Sequence, residues 1–297
     1  MWARRSLRVI RVGCCVMGAA VGVLAAPQTA PDIDTLLARV GERLAEYYER
    51  AQNIICTEKS TAQPIGNDFS PIGFAQVVES ELHIETDAGA DGDEIKNPTV
   101  VRELRKINGR LPREKDKKDR SRCGDPNPLS MEPLAFLLPA HREGYTFAFA
   151  GGGKGKDSHA LLIDFKVSEP GTPELRENAE GIEECYSLSF PATIKGRVWV
   201  DDTTYEILRV EQHITGPVDI RVSYAQQRKH NLPDFVVVER WDTVMHYKVV
   251  PFRDPDEKLL LPDSIETTSI VRGLESRRRR QQYADYRRFT TGARVVK

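Results

Sequence analysis

The chain has 297 residues, of which 40% are apolar and 29% charged, and this composition is typical of a folded globular protein. The formal net charge of −1 gives no overall attraction to nucleic acid, so no nucleic-acid partner is expected. The length allows one large domain or two small ones.

The first 26 residues have the three-part pattern of a secretory signal peptide. Arginines at the start precede an apolar stretch over 12–26, which small residues close before Pro27. This stretch is shorter than the roughly 20 residues that a transmembrane helix needs. We therefore predict a cleaved signal peptide at 1–26 and a single β-rich domain at 27–297, located in the periplasm or secreted. An uncleaved N-terminal membrane anchor is the alternative.

Three of the five cysteines, Cys56, Cys123 and Cys185, lie beyond the predicted signal peptide. An oxidising compartment permits one disulfide among them and leaves one thiol over. The loop-like surroundings of Cys123 and Cys185 favour a disulfide between these two. Three unpaired thiols are the alternative.

A helical pattern runs over 31–53, where apolar residues recur at intervals of three and four. Asp32 or Asp34 can accept hydrogen bonds from free backbone N–H groups at its start. A helix with one apolar stripe needs another surface on which to bury it. The stretch "SMEPLAFLLPAHRE" (130–143) predicts a short second helix that Pro139 interrupts.

Most of the remaining chain predicts strands in sequence order, including the stretch "VDIRVSYAQQRK" (218–229). Asn108 and Gly109 indicate a tight turn, because both tolerate positive φ. Charged or polar loops are expected near 110–130 and 168–190. Consecutive strands without βαβ alternation favour an antiparallel meander. The predicted fold is mainly β (α+β): a curved antiparallel sheet or half-open barrel whose concave face the two helices cover.

The longest predicted strand covers 235–249, and its alternate side chains form one apolar face and one mixed face. With Trp199 from a neighbouring hairpin, its apolar side chains are our candidate ligand-binding residues: Phe235, Val237, Trp241, Met245 and Tyr247. Such a face either lines a cavity for an apolar ligand or packs as a filled core.

No linear motif predicts catalysis, a metal or a cofactor. The Gly-rich loop over 150–158 lacks both the first glycine and the Ser or Thr of a phosphate-binding loop. The six histidines lack zinc-ligand spacing, and the acidic run over 85–94 departs from a calcium loop. A hydrolase would have to assemble its site from distant residues. We therefore expect no enzyme.

The densest basic run comprises Arg277, Arg278, Arg279 and Arg280. It predicts either a charged sheet edge that resists aggregation or a contact with an anionic membrane surface.

The hairpin "GRVWVDDTTYEILRVEQ" (196–212) resembles a recurring hairpin of the bacterial outer-membrane lipoprotein-sorting (LolA/LolB-like) superfamily. Its form is a glycine, an apolar–aromatic–apolar trio, an Asp-initiated turn and an Ile/Leu–Arg strand. The resemblance implies a half-open barrel that holds acyl chains, in a secreted member of the superfamily.

Together these observations predict a non-catalytic envelope protein that binds a lipid, a lipidated protein or another apolar ligand. The alternative is a scaffold or protein-interaction domain with a filled core. Neither the ligand nor the oligomeric state follows from the sequence.

Overall fold

The computed structural model describes residues 32–51, 53–85, 99–114, 116, 134–168, 171–177, 186–189, 194–253 and 256–288. The predicted signal peptide and the predicted Cys123–Cys185 disulfide lie outside these ranges, as does much of the two predicted loops. Within these ranges, no helix combines the length and the apolar character that crossing a membrane requires.

The first element is the helix α1, Ile33–Arg50, within the range that the sequence predicts. Asp32 caps it, since its carboxylate accepts a hydrogen bond from the backbone N–H of Thr35 at 3.1 Å. Its apolar stripe is buried and consists of Leu36, Leu37, Val40, Leu44 and Tyr48.

Thirteen strands follow among the described residues, and all of their pairings are antiparallel. They are β1 (Ile54–Pro64), β2 (Gln76–Glu85), β3 (Thr99–Ile107), β4 (Tyr145–Gly152), β5 (Ala160–Val167), β6 (Glu174–Glu177), β7 (Tyr186–Ser189), β8 (Ile194–Asp201), β9 (Ile207–Ile214), β10 (Val218–Arg221), β11 (Phe235–Arg253), β12 (Asp256–Arg272) and β13 (Arg277–Arg288).

The main sheet has the order β3-β2-β1-β13-β12-β11-β9-β8-β5-β4, and β10 pairs with β11 beside this path. β6 and β7 form a separate hairpin. The first and last strands of the chain are neighbours, because Ile54 of β1 stands opposite Arg288 of β13. β3 and β4 end the order without pairing with each other, so the sheet is not closed. The predicted mainly β, open antiparallel fold is confirmed.

Two short 3₁₀ helices, Ala135–Leu137 and Pro139–Gly144, stand where the second helix is predicted. Pro139 begins the second of them, in agreement with the predicted interruption. The strand predicted over 218–229 is wrong in its second half, where Tyr224–His230 forms the helix α2. A capping box between Ser223 and Gln226 starts this helix, and it outweighs the strand pattern.

One face of the sheet carries most of the buried apolar side chains, and we call it the covered face. Val198, Val210, Met245 and Ile265 stand opposite one another across β8, β9, β11 and β12 and mark one row of it. α1 and the 3₁₀ helices pack over its β4–β11 side. The hairpin β6–β7 contributes Leu175 to a second cluster with Val236 and Val238.

Candidate ligand-binding slot

A narrow slot lies between α1 and the covered face. Its apolar walls come from both sides: Val40, Leu44 and Tyr47 on α1, and Leu134, Ile207, Tyr247, Leu259 and Leu260 opposite. The space between the walls is about 530 Å³, but the centre of a water molecule fits into only about 50 Å³ of it. The slot as it stands therefore holds a few water molecules.

Two tyrosines of the slot, Tyr47 and Tyr247, keep their hydroxyl groups in an apolar environment. Burial raises the pKa of both phenols, and the proximity of Tyr247 raises that of Tyr47 further. Neither hydroxyl has a hydrogen-bond partner among the described residues. Both residues are half-buried, and neither hydroxyl oxygen is one of the buried polar atoms that lack a partner in the described part of the chain. The two phenols can therefore serve a polar group that enters the slot.

Charged side chains surround the mouth of the slot and tie α1 to the sheet. Arg50 donates to the Glu257 carboxylate at 2.9 Å and to the carbonyl of Lys258 at 3.2 Å. Arg43 donates to the carbonyl of Thr204 at 3.1 Å. These contacts fix the helix at its exposed side, where hydrogen bonds exchange readily with water. The rim is thus polar while the interior is apolar.

The structure brings two of the predicted ligand-binding residues, Met245 and Tyr247, together beneath α1. Trp241 packs against the neighbouring cluster with Val238. The predicted face thus contributes to two different groups rather than to one continuous site.

The other three predicted residues lie elsewhere. Phe235 is 49% exposed, and Val237 is half-buried between the buried Val236 and Val238. Trp199 stacks under the guanidinium of Arg209, whose carbon lies 4.5 Å from the ring centre.

A register shift between Val238 and Arg240 explains why a simple alternation fails on β11. A bulge adds one residue, so the inward positions change parity from Val236 and Val238 to Thr243 and Met245. Ile207 of β9 and Leu259 and Leu260 of β12 also line the slot, but no sequence pattern marks them as site residues. Their burial depends on the strand order, which places them under α1.

One group of side chains on β2 and β3 has the composition of a metal site. The nearest ligand atoms of Glu81, His83 and Glu103 all lie within 4.8 Å of one another. However, Arg105 donates to Glu81 at 2.9 Å and to Glu103 at 2.8 Å, and Arg287 donates to Glu81 at 3.1 Å. The arginines already neutralise these carboxylates, so this group is an ion-pair network in the structure.

The arginine run of β13 is divided between the two faces of its strand. Arg277 pairs with Glu275 at 2.6 Å, and Arg280 pairs with Glu266 at 3.1 Å. Because alternate residues face opposite sides and two of the charges are matched locally, the run does not form one basic surface. The structure gives no support to the predicted membrane contact through Arg277, Arg278, Arg279 and Arg280.

Comparison with protein-family models and with curated protein sequences finds no match to this chain. Solved structures do match. One is a candidate outer membrane lipoprotein-sorting protein domain from Vibrio parahaemolyticus, with 12% identity, 89% of this chain and 96% of that chain covered, and a TM-score of 0.39.

Another is a DUF1329 family protein from Desulfovibrio piger, with 8% identity, coverage of 88% and 95%, and a TM-score of 0.45. A third is a LolA superfamily protein from Nitrosomonas europaea, with 10% identity, coverage of 90% and 97%, and a TM-score of 0.32. The resemblance predicted from 196–212 is confirmed as a likeness to solved members of that superfamily. At these TM-scores the likeness carries no argument about function.

Proposed function

We propose that the protein binds an apolar ligand, the acyl chain of a lipid or of a lipidated protein, between α1 and the covered face, without catalysis. The observation that carries this proposal is the pair of phenol hydroxyls, Tyr47 and Tyr247, which lie in an apolar slot without a protein partner. An ester or carboxyl group at the head of an acyl chain would accept their hydrogen bonds.

The apolar walls would supply most of the affinity. Burial of apolar area contributes about 25 cal/mol per Å², and Val40, Leu44 and Ile207 offer such area on both sides of the slot. The charged rim suits a head group that stays in water. A periplasmic or secreted location and a single mature domain at 27–297 are part of the same proposal.

Binding would require α1 to move outward. Ligand sites in proteins usually have volumes of about 300–1,000 Å³, whereas the slot has only about 50 Å³ that water can reach. The walls are already in place, but an outward movement would have to break exposed contacts such as that of Arg50 with Glu257 and expose part of the buried stripe of α1. We therefore assign α1 the role of a cover that closes over the ligand.

Titration of the delipidated protein with a fluorescent fatty acid tests the proposal. We expect saturable binding that the substitution Tyr47→Phe or Tyr247→Phe weakens by about three- to tenfold, the value of one hydrogen bond. Neither change should lower stability, because each removes the hydroxyl of a half-buried tyrosine that bonds to no other described residue.

The matched control is Tyr286→Phe. The Tyr286 hydroxyl donates to the carbonyl of Pro262 at 2.6 Å, so its loss should lower stability and leave fatty-acid binding unchanged. Absence of saturable binding to the wild-type protein, or equal effects of all three substitutions on binding, would contradict the proposal.

The narrowness of the slot favours a second function, a scaffold or interaction domain whose core is filled. In that case the fatty acid would not bind, and Leu44→Trp would lower stability by overpacking without any effect on a ligand. Under the leading proposal, the same substitution fills the slot and abolishes binding.

A further inference from the structure

The two ends of the sheet differ in their protection against pairing with another chain. β3 carries Glu103, Arg105 and Lys106, and its charges pair with Glu79 and Glu81 of β2. Charged side chains on an edge strand discourage edge-to-edge association. β4, at the opposite end, has the sequence YTFAFAGG and contains no charge.

On one face of β4, aromatic side chains pack against the 3₁₀ segment. Its Tyr145 and Phe147 pack against Phe136 of the 3₁₀ segment, with ring centres 5.2 and 6.2 Å away. On the other side, the small residues Thr146 and Ala148 are exposed. Among the described residues, β4 pairs only with β5, so its outer edge remains available for backbone hydrogen bonds as far as the bulge between Phe149 and Gly151.

A row of basic side chains runs beside this edge on the face opposite the covered one. Lys166 of β5 stands opposite Lys195 of β8, and Lys195 stands opposite His213 of β9. All three are exposed. Like charges directly opposite each other destabilise a sheet. In the neighbouring row, by contrast, opposite charges face each other, since Arg197 pairs with Asp164 at 2.5 Å.

No ion pair joins Lys166 or Lys195 to a carboxylate in the described part of the chain. Both lysines line a groove of about 620 Å³, which also includes Thr146, Ala148 and His213. Its two carboxylates, Asp164 and Glu211, are paired with Arg197 and Arg209. Because Thr146 is small and stands opposite Lys166, the Lys166 side chain can extend over it toward the free edge.

We propose that β4 binds an extended, acidic segment of another protein as an additional antiparallel or parallel strand. The backbone of the segment would bond to the free edge of β4. Every second side chain would face the groove, where an acidic residue would meet Lys166 of β5. Lys195 lies one strand further from the edge and would add a longer-range attraction. The remaining side chains would lie beside Phe147 and Phe149, which favours apolar residues there. The site is separate from the slot beneath α1, and neither depends on the other.

The test uses a capped peptide of alternating aspartate and valine with the length of β4, 8 residues. We expect saturable binding to the full chain, measured by calorimetry or through the fluorescence of Trp199 in the groove. The double substitution K166E/K195E should weaken binding by about tenfold or more, because the attraction at Lys166 becomes a repulsion and the more distant charge of Lys195 is reversed as well. Its thermal unfolding should change little, since one pair of like charges at these opposed positions replaces another.

Two further peptides separate strand addition from charge attraction. A peptide N-methylated at every backbone amide keeps the charges but has no N–H group to donate to β4, and it should not bind. A lysine–valine peptide should not bind either.

Equal binding of the N-methylated peptide, or equal binding of the acidic peptide to K166E/K195E, would overturn the proposal. So would a failure of the acidic peptide to bind. Binding to vesicles of anionic lipid through Lys166 and Lys195, without binding of the acidic peptide, would assign the row to a membrane surface and also overturn it.

Discussion

The guanidinium group of Arg142 donates a hydrogen bond to the backbone carbonyl of Leu37, in the middle of α1. Its Nε donates at the same time to the carbonyl of Leu137 at 2.8 Å, so one side chain joins the helix to the 3₁₀ segment. Gly41 makes this possible, because a Cβ at that position would lie 2.5 Å from the guanidinium. Burial lowers the pKa of Arg142. A partly buried charge thus holds the proposed cover in place.

Replacement of Arg142 by alanine should loosen α1 without unfolding the sheet. The amide groups of 33–50 should exchange hydrogen at least about tenfold faster, as expected for the loss of about 1.5–3 kcal/mol of charged hydrogen bonding. A fatty acid should also associate with the variant more rapidly. Hydrogen exchange with mass spectrometry and stopped-flow fluorescence measure these two effects.

The control for this experiment is Arg43→Ala. Arg43 is about half exposed and contacts Glu46 and Thr204 at the helix surface. Exposed pairs contribute about 0–1 kcal/mol, so exchange in α1 should change little. A similar acceleration in both variants would show that Arg142 has no special role.

Among the polar groups of the sheet, the buried carboxylate of Glu58 should be the one whose loss of a partner lowers the free energy of unfolding most. Glu58 is 1% exposed and accepts from Arg102 at 2.8 Å, Gln281 at 2.7 Å and Tyr283 at 3.3 Å. Removing one partner of a buried ion pair costs about 3–5 kcal/mol, because the other charge stays buried. We expect Arg102→Ala to lower the free energy of unfolding by this amount in urea denaturation.

Arg105→Ala provides the comparison, since Arg105 pairs with Glu81 and Glu103 at a half-exposed position of the same strand. Its loss should cost less than about 1 kcal/mol. If Arg102→Ala costs no more than Arg105→Ala, the Glu58 network does not stabilise the fold.

The turn between β8 and β9 should depend on the charge of Asp201. Its carboxylate accepts from the backbone N–H of Thr203 at 3.0 Å and of Thr204 at 2.7 Å. Burial raises the pKa of Asp201, but the hydrogen bonds from Thr204 and Thr203 outweigh this effect and lower it below 3.8. Asp201→Ala should reduce the free energy of unfolding by about 1–2 kcal/mol at neutral pH.

The same shift determines the pH dependence. A carboxyl group with a lowered pKa in the folded state stabilises the protein fully above its unfolded value and loses this contribution as the pH falls through the folded value. The difference between wild type and Asp201→Ala should therefore shrink below about pH 3–4. Asp202→Ala, which loses a contact with the Thr203 hydroxyl and a 3.9 Å approach to the exposed His159, should have a smaller effect at neutral pH. A pH-independent difference would contradict the assignment.

Gly196 should tolerate no side chain. A Cβ at this position would overlap the carbonyl oxygen of Glu211 and lie 2.6 Å from the ring of Phe165. Overpacking of this kind costs about 1–3 kcal/mol, so Gly196→Ala should lower the melting temperature. Gly152→Ala, with no atom within 4 Å of the added methyl group, should change it little. Equal melting temperatures would mean that the backbone adjusts at Gly196 without strain.

Local chemistry made several elements predictable from the sequence. The cap at Asp32 and the apolar stripe place α1 correctly, because both signals act within a few residues. Asn108 and Gly109 have φ of 47° and 78°, which confirms the turn that their tolerance of positive φ predicts. Asp201 likewise starts the turn between β8 and β9, as the hairpin pattern over 196–212 predicts.

The candidate slot was only partly predictable, because it depends on long-range pairing. Met245 and Tyr247 were expected in the site and lie beneath α1, whereas the bulge near Arg240 separates Val237 and Phe235 from them. A bulge inserts a residue without a sequence signal that alternation can detect. Tyr47 and Tyr247 line the same slot only because α1 crosses a strand about 200 residues later in the chain.

The pairing of Ile54 with Arg288 has a consequence for the way in which the molecule forms. β1 leaves the ribosome well before its neighbour β13, which lies about 220 residues later in the chain. Until β13 has emerged, both β1 and β12 lack a partner on one side, and such edges invite aggregation. The high contact order of this pairing favours slow folding that cannot finish before β13 has been synthesised. Truncation before Arg277 should therefore yield an aggregating chain rather than a smaller soluble domain.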